Sequence, residues 1–573
     1  VALPWGGWAK LVQPGVKDGM LDPSTLGPNL MHVGWIPRQI TFSTDPDRTK
    51  PNRFYQEYDP HLTKVPVELS HGVIGETMAG INKQTLLFDN PDVGVPDDLE
   101  PVITELIDML RYYGVTSKTL SLDELVVNRN SGTGYWFKEK WKNKGRMLDD
   151  PKGRSYLDEH WMFAHKRNYV TPTNVCGKFE YAKNKKIQAN DVRTFETFAA
   201  PDTLYGMRLC QHFNKKLAAS GCPLFGVGSD FSRGGFDRLI RSITRDGKGG
   251  PFRTKGMGDV KKFDKHFMKT LRWICFRIRL ALFEGTPEEK LEYEERLRYY
   301  YTHATHPFLL LPSGQLLFVL LGGMMSGDPS TTYDNSLAHA IMWLYHFKLN
   351  VPVEKFTWRY FLTKWGVSLY SDDNIFNLGK YVGCASYESR SATYGKFGFH
   401  LKEEDDRIAS EWPGLTYLGA TVVKDELGCY VPQYDIRRIW SSIVFSKKTL
   451  SSYEEFAKVR SLLVLSVFNG REHFEHIRRY LEFFVRKRDE DSGLGWHLDV
   501  RAFEKVVSKH GYFWFSGIDD RPFASPWIPT YTWSVGFYHS WEGAVVANGS
   551  QGPSSTCPIS RGPTLADVEG AYY

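Results

Sequence analysis

Two adjacent carboxylates between two apolar runs constrain this chain more than any other feature. In Tyr370-Ser371-Asp372-Asp373 the acids follow Val367, Leu369 and Tyr370 and precede Ile375, Phe376 and Leu378. The pattern predicts strand, tight turn, strand, with the acids at the tip of a hairpin. Turns use Asp for local hydrogen bonds, so the pair gains meaning only from its company. A second acidic pair lies upstream, in Asp259-Val260-Lys261-Lys262-Phe263-Asp264, ahead of an apolar and aromatic run from Phe267 to Phe283. Its spacing predicts Asp259 at the end of a strand and Asp264 at the start of a helix, where an acid also serves as an N-cap. Between the two lies Ser326-Gly327-Asp328-Pro329-Ser330-Thr331-Thr332-Tyr333-Asp334-Asn335, of the form S-G-x-x-x-T-x-x-x-N. Gly322, Gly323 and Gly327 predict a flexible loop. Thr331 and Asn335, four apart, share a face if Thr331 opens a helix. A glycine turn before a capped helix accounts for the glycines and Ser330, but not for Ser326, Thr331 and Asn335 at this spacing.

In this order the three segments resemble motifs A, B and C of viral RNA-dependent RNA polymerases. The resemblance implies two-metal nucleotidyl transfer from ribonucleoside triphosphates, with two divalent cations about 3.5–4 Å apart clamping the attacking and leaving oxygens. Magnesium, with manganese as a substitute, suits hard carboxylate ligands. Asp259 and Asp372 would be the main ligands, with Asp373 assisting. Asp264, Ser326, Thr331 and Asn335, with Gly327 of the same loop, would bind the nucleotide and read its ribose 2′-hydroxyl. A site built to bond a hydroxyl rejects the analogue that lacks it. Reverse transcriptase is the rival for a Tyr-x-Asp-Asp turn, but those enzymes usually place a bulky residue near the position of Asp264. An RNA-binding scaffold that has lost chemistry is the non-enzymatic rival; all the expected carboxylates are present. One departure is Ser371, where most positive-strand RNA virus polymerases have glycine.

The flanking segments extend the resemblance. Lys178, Lys183, Lys185, Lys186, Arg193 and Arg208, with Glu180 and Glu196 interleaved, occupy the place of motif F. There Arg193, Lys185, Lys186 and Lys178 would line the triphosphate and template channel; a solvated charged face is the plainer reading. Asn130 to Tyr135 resembles the template-guiding motif G, and Lys138 to Arg146, with Trp136, Phe137 and Trp141, suits a template path. Lys402, with Lys396 second, is the candidate general acid at motif D, and Thr416 to Ala420 takes the place of motif E. Gly226 to Asp237, the Ser326 to Asn335 segment and Tyr430 to Ile443 have the texture of potyvirus and astrovirus polymerases, within the picornavirus-like group.

The implied architecture is α+β, a right-hand polymerase. Residues 1–225 would be N-terminal arm and fingers; 226–430 palm with an antiparallel sheet and a fingers insertion at about 268–310; 431–540 thumb; 541–573 a tail. Helices are predicted over Asp98–Tyr113, Glu288–Tyr300, Tyr453–Val467 and Glu472–Arg486, and loops over Phe513–Tyr538. With 72 basic and 66 acidic side chains the net charge is only +6, so RNA contact depends on local clustering. The 14% aromatic content suits a packed enzyme and argues against a disordered chain. The seven cysteines form no C-x-x-C pair, which excludes zinc-ribbon spacing and leaves a mixed Cys/His zinc site assembled in three dimensions; their dispersal suggests reduced thiols. The longest apolar stretch, Leu316 to Met325, is too short to span a bilayer and reads as a strand entering the glycine loop. The expected partners are RNA template, nascent RNA, nucleoside triphosphates and other viral replication proteins. The expected place is a replication complex in the host-cell cytoplasm, with the virion as alternative. The start at Val1 fits a processed product, and Gln551-Gly552 resembles a viral protease cleavage site.

Overall fold

A computed structural model describes residues 19–36, 51–502 and 527–539, apart from 75–76, 91–92, 168–170, 179, 192, 247–251, 448, 494, 497–498 and 500. Among the described residues the architecture mixes helices with four small sheets. One four-stranded antiparallel sheet positions the acids. Its order is Arg407–Ala409, Lys255–Gly258, Asp373–Asn377, Gly366–Tyr370. Tyr370 pairs with Asp373, so only Ser371 and Asp372 lie between the two strands, and the predicted hairpin has a two-residue turn. At the outer edge the Leu369 N–H donates to the Leu224 carbonyl and the Gly226 N–H to the Leu369 carbonyl. This extends the sheet with the segment singled out just before the first acidic pair.

The helix Thr331–Leu349 carries apolar residues on every side and is buried from Tyr333 to Phe347. Such a helix belongs inside a core, and it packs beneath the hairpin, where Trp343 lies 5.0 Å from Phe376, ring centre to ring centre. Two helices, Lys269–Ala281 and Pro287–Thr305, lie between the first acidic segment and the glycine loop. A five-stranded sheet in the order Leu30–Trp35, Gln315–Val319, Phe308–Leu310, Thr173–Gly177, Thr194–Thr197 joins the loop to the basic segment. Gln315–Val319 leads into the glycine loop, as its apolar run predicts.

A second core gathers the helices Ile436–Val444, Ser452–Leu465 and Arg471–Ser492. Phe54, Tyr55 and Val73, from far earlier in the chain, belong to it. Asn52 Nδ2 donates to the Ile443 carbonyl at 2.9 Å and to Glu455 Oε1 at 2.5 Å. Chain order and spatial grouping therefore diverge at residues 51–74. The early helix spans Glu100–Tyr112, close to its predicted bounds. Loops were expected through Phe513–Tyr538, but Tyr531–Tyr538 is a helix, capped by Thr530 Oγ1 accepting from the Trp533 N–H. Its Trp, Phe and Tyr residues fit a helix once packed on other aromatics, which local pattern does not reveal; residues 513–526 lie outside the described residues. Among the described residues no helix is long and apolar enough to cross a membrane.

Candidate active site

Ser371 sits in the left-handed region, at φ +57°, which costs a non-glycine residue about 1–2 kcal/mol. Three neighbours on the buried helix hold it there. The Asn335 Nδ2 donates to Ser371 Oγ at 3.0 Å. The Ser371 N–H donates to Ser336 Oγ at 2.8 Å. His339 Nδ1 lies 3.0 Å from the Ser371 carbonyl and its Nε2 lies 2.5 Å from Tyr394 Oη. Burial pushes the His339 imidazole down to about 4, so the ring is neutral near pH 7, donating through Nδ1 and accepting through Nε2. Backbone donor, backbone acceptor and side chain of one turn residue are thus all engaged by one helix.

The same Asn335 Nδ2 donates to Asp264 Oδ1 at 2.8 Å. Asp264 lies in the first turn of the short helix Phe263–His266, as its spacing predicts, and Asp259 directly follows the strand Lys255–Gly258. One buried amide therefore joins the three separated segments. Its other atom, Asn335 Oδ1, is buried and has no hydrogen-bond partner among the described residues, so it is open to a donor such as a hydroxyl. Burial raises the Asp264 carboxyl despite the bond from Asn335.

Asp372 and Asp373 are half-buried at the turn. Burial, then the neighbouring charges of Asp264 and Asp259, raises Asp372 to about 6. Burial, then Asp372 and Asp259, raises Asp373 to about 8. Arg193 opposes the rise at Asp264, Asp372 and Asp373 alike, so its positive charge faces all three. Asp259 is bound by Lys402 Nζ through Oδ2. The oxygens of Asp259, Asp372 and Asp373 do not all fall within 4.8 Å of one another. Hard oxygen donors that repel one another suit a divalent cation, which removes the repulsion as it binds.

The glycine loop meets this group at Asp264, whose carbonyl accepts from the Met324 N–H at 2.6 Å. Thr331 Oγ1 donates to the Met325 carbonyl at 2.6 Å and to the Asp328 carbonyl at 2.9 Å. Thr331 also opens the helix. Ser326 Oγ bonds Glu196 Oε2 at 3.2 Å, and Glu196 Oε1 receives Lys265 Nζ at 2.7 Å. A Cβ on Gly327 would stand 2.4 Å from the Glu196 carbonyl oxygen, so no larger residue fits. Burial alone would raise Glu196, but Lys265 beside it holds its carboxyl below the usual range. Glu196, Lys265, Ser336 and His339 carry the site's framework and are missed in the sequence. His339 follows Asn335 at helical spacing and could have been found; Glu196 was hidden among basic residues.

The basic segment divides. The Lys178 N–H donates to the Arg193 carbonyl at 2.7 Å. Arg193 is exposed and 3.4 Å from Glu180. Burial, then Arg193, lowers the Lys178 ammonium, while Asp264 opposes. Lys178 and Arg193 thus lie beside the acids. Lys185 and Lys186 lie exposed on the helix Asn184–Gln188, where no described contact ties them to the acids. Lys396 is exposed.

The sequence model of a family described as viral RNA-dependent RNA polymerase matches residues 94–485. The chain is 26% identical over 331 residues to the non-structural polyprotein 1AB of Turkey astrovirus 2, covering 54% of this chain and 19% of that one. It is 33% identical over 432 residues to the genome polyprotein of Watermelon mosaic virus II, isolate USA, covering 74% and 39%. It is 25% identical over 318 residues to the genome polyprotein of Zucchini yellow mosaic virus, Reunion Island strain, covering 54% and 10%. The chain thus spans less than two fifths of the length of these curated relatives.

Proposed function

The chain belongs to the viral RNA-dependent RNA polymerase family, and from that premise we propose that it copies an RNA template from ribonucleoside triphosphates. Asp259, Asp372 and Asp373 would hold two magnesium ions, or manganese in their place; the ions supply charge for the attacking 3′-oxygen and the leaving pyrophosphate. Asp372 and Asp373 would bind in their deprotonated forms. Lys402, in contact with Asp259, would serve as the proton donor to the leaving pyrophosphate. Arg193 and Lys178 supply charge for the triphosphate from the far side, with Lys185 and Lys186 further along the template channel. Asp264 and Asn335 select the ribose hydroxyl, while Ser326, Gly327 and Thr331 shape the loop beneath the nucleotide.

The observation that carries this reading is the Asn335 amide, bonded to Asp264 and Ser371 with its oxygen unpaired. An unpaired amide oxygen between the two acidic segments supports a hydroxyl receptor there. In a right-hand polymerase the four-stranded sheet is the palm, within residues 226–430 and with the helices of about 268–310 as an insertion. Residues 1–225 supply arm and fingers, 431–540 the thumb, and 541–573 a tail. The three helices of the second core support the thumb assignment, and the packing of residues 51–74 upon them ties the arm to it. A replication complex in the host cell is the setting, with other viral proteins as partners.

Primer extension on an RNA template with magnesium tests the proposal. Extension is expected with ribonucleotides and not with deoxynucleotides, and Asp372→Asn should abolish it while RNA binding persists. Deoxynucleotide extension would favour a reverse transcriptase. RNA binding without extension in magnesium or manganese would favour an inert scaffold.

A further inference from the structure

Far along the sequence from the four acids, three different ligand atoms converge. The hairpin Ala420–Lys424 and Tyr430–Tyr434 turns through Asp425 to Cys429. There Asp425 Oδ1 accepts the N–H groups of Leu427 at 3.0 Å and Cys429 at 2.9 Å. That fixes the carboxylate and directs Oδ2 elsewhere. Oδ2 meets Nε2 of His539, a residue 114 positions later and just past the helix Tyr531–Tyr538, at 2.5 Å. His539 is 3% exposed. The donor atoms of Asp425, Cys429 and His539 all lie within 4.8 Å of one another, and no other such group of three occurs among the described residues.

The imidazole decides what the group is suited to. His539 Nδ1 lies 2.7 Å from the Val535 carbonyl oxygen, which can only accept, so Nδ1 carries hydrogen. In the neutral ring Nε2 then presents a lone pair, directly at a carboxylate oxygen. Two lone pairs at that distance need a positive centre between them, a proton or a metal ion. A ring whose second nitrogen donates to a backbone carbonyl is the usual support of a metal-bound histidine. The Cys429 sulfur beside the pair adds nothing to a proton-bridged contact, but completes a nitrogen, sulfur and oxygen donor set.

We propose that Asp425, Cys429 and His539 bind one zinc ion, with the fourth tetrahedral position taken by water. Sulfur and imidazole select zinc over magnesium. Bond lengths of about 2.0–2.3 Å set tetrahedral donors roughly 3.3–3.8 Å apart, which side-chain rotation within this triangle reaches. On binding, the Cys429 thiol proton and any proton held between His539 and Asp425 pass to solvent. The ion staples the helix Tyr531–Tyr538 to the hairpin; the end of that helix already accepts, at its Phe537 and Tyr538 carbonyls, from the Arg233 and Gly234 N–H groups at 2.7 and 2.9 Å.

The full chain, stripped with chelator and dialysed, is titrated with zinc chloride against a colorimetric competitor in excess magnesium, and separately with cobalt chloride. One zinc per chain is expected, with a rise in melting temperature and a near-ultraviolet thiolate-to-cobalt absorption band. Cys429→Ser, expected to keep the metal-free melting temperature, should weaken zinc binding by at least the roughly tenfold that loss of an outer partner alone brings and remove the cobalt band; His539→Ala should abolish the zinc-dependent rise in melting temperature. No zinc bound, or zinc bound equally by Cys429→Ser, overturns the proposal and leaves an Asp–His ion pair.

Discussion

At the scale of the residue, Ser371 and Asn335 form one unit. Asn335→Ala removes the amide between Asp264 and Ser371. The expected outcome is loss of selectivity against deoxynucleotides by roughly tenfold or more, from about 1.4 kcal/mol or more of lost hydroxyl recognition. Competition between a ribonucleotide and its deoxy analogue measures it, and unchanged selectivity would refute the role. Ser371 combines strain with compensation. Ser371→Gly relieves the positive φ but loses the bond from Asn335, and each is worth about 1 kcal/mol, so stability should barely move. Ser371→Ala keeps the strain and loses the bond. It should be the less stable of the two by roughly 1 kcal/mol, read from unfolding midpoints; the reverse order would mean the left-handed turn is not retained.

At the scale of the element, the glycine loop and its helix are held by buried charge. Arg272 and Arg279, on the helix Lys269–Ala281, pair at 2.7 Å with Asp328 and Asp334, and all four side chains are fully buried. Tyr301 Oη donates to Asp334 at 2.8 Å, and Tyr300 Oη donates to Asp328. The two helices between the acidic segments therefore fix both ends of the turn that carries Thr331. Removing one partner of a buried pair leaves the other uncompensated, at a cost of about 3–5 kcal/mol. Arg279→Met should destabilise by that amount, and Arg279→Met with Asp334→Leu should recover most of it; denaturant unfolding decides. An unaffected Arg279→Met protein would show that the pair does not brace the helix. The sequence offered Asp334 only as a neighbour of Asn335, and nothing in its spacing marks a partner 55 residues away.

At the scale of the whole molecule, the proposed metal site would make the protein's stability depend on pH and metal together. Asp372 and Asp373 hold protons more tightly folded than unfolded, with folded values of about 6 and about 8. The metal-free protein should therefore lose stability as pH rises from the ordinary carboxylate range through about 8. A divalent cation binds the deprotonated form, so magnesium or manganese should release protons near neutral pH, bind more tightly as pH rises towards 8 and flatten the melting profile. Calorimetry in two buffers of different ionisation heat measures the release, and metal binding without it would refute the linkage. The hairpin, the strand end at Asp259, the helix starts at Asp264 and Thr331 and the four long helices were legible because each depends on residues a few positions apart. Period-two and helical patterning and turn chemistry are local properties, and the order of the motifs is a property of the chain. The link from Asn335 to Asp264 spans 71 positions, that from Ser326 to Glu196 spans 130, and that from His539 to Asp425 spans 114. No local pattern specifies such pairings. The sequence by itself determined the order of the motifs and the local conformations of the residues proposed to bear the chemistry. Only the tertiary structure decided which buried polar groups satisfy one another, because that depends on which segments the packed core brings into contact.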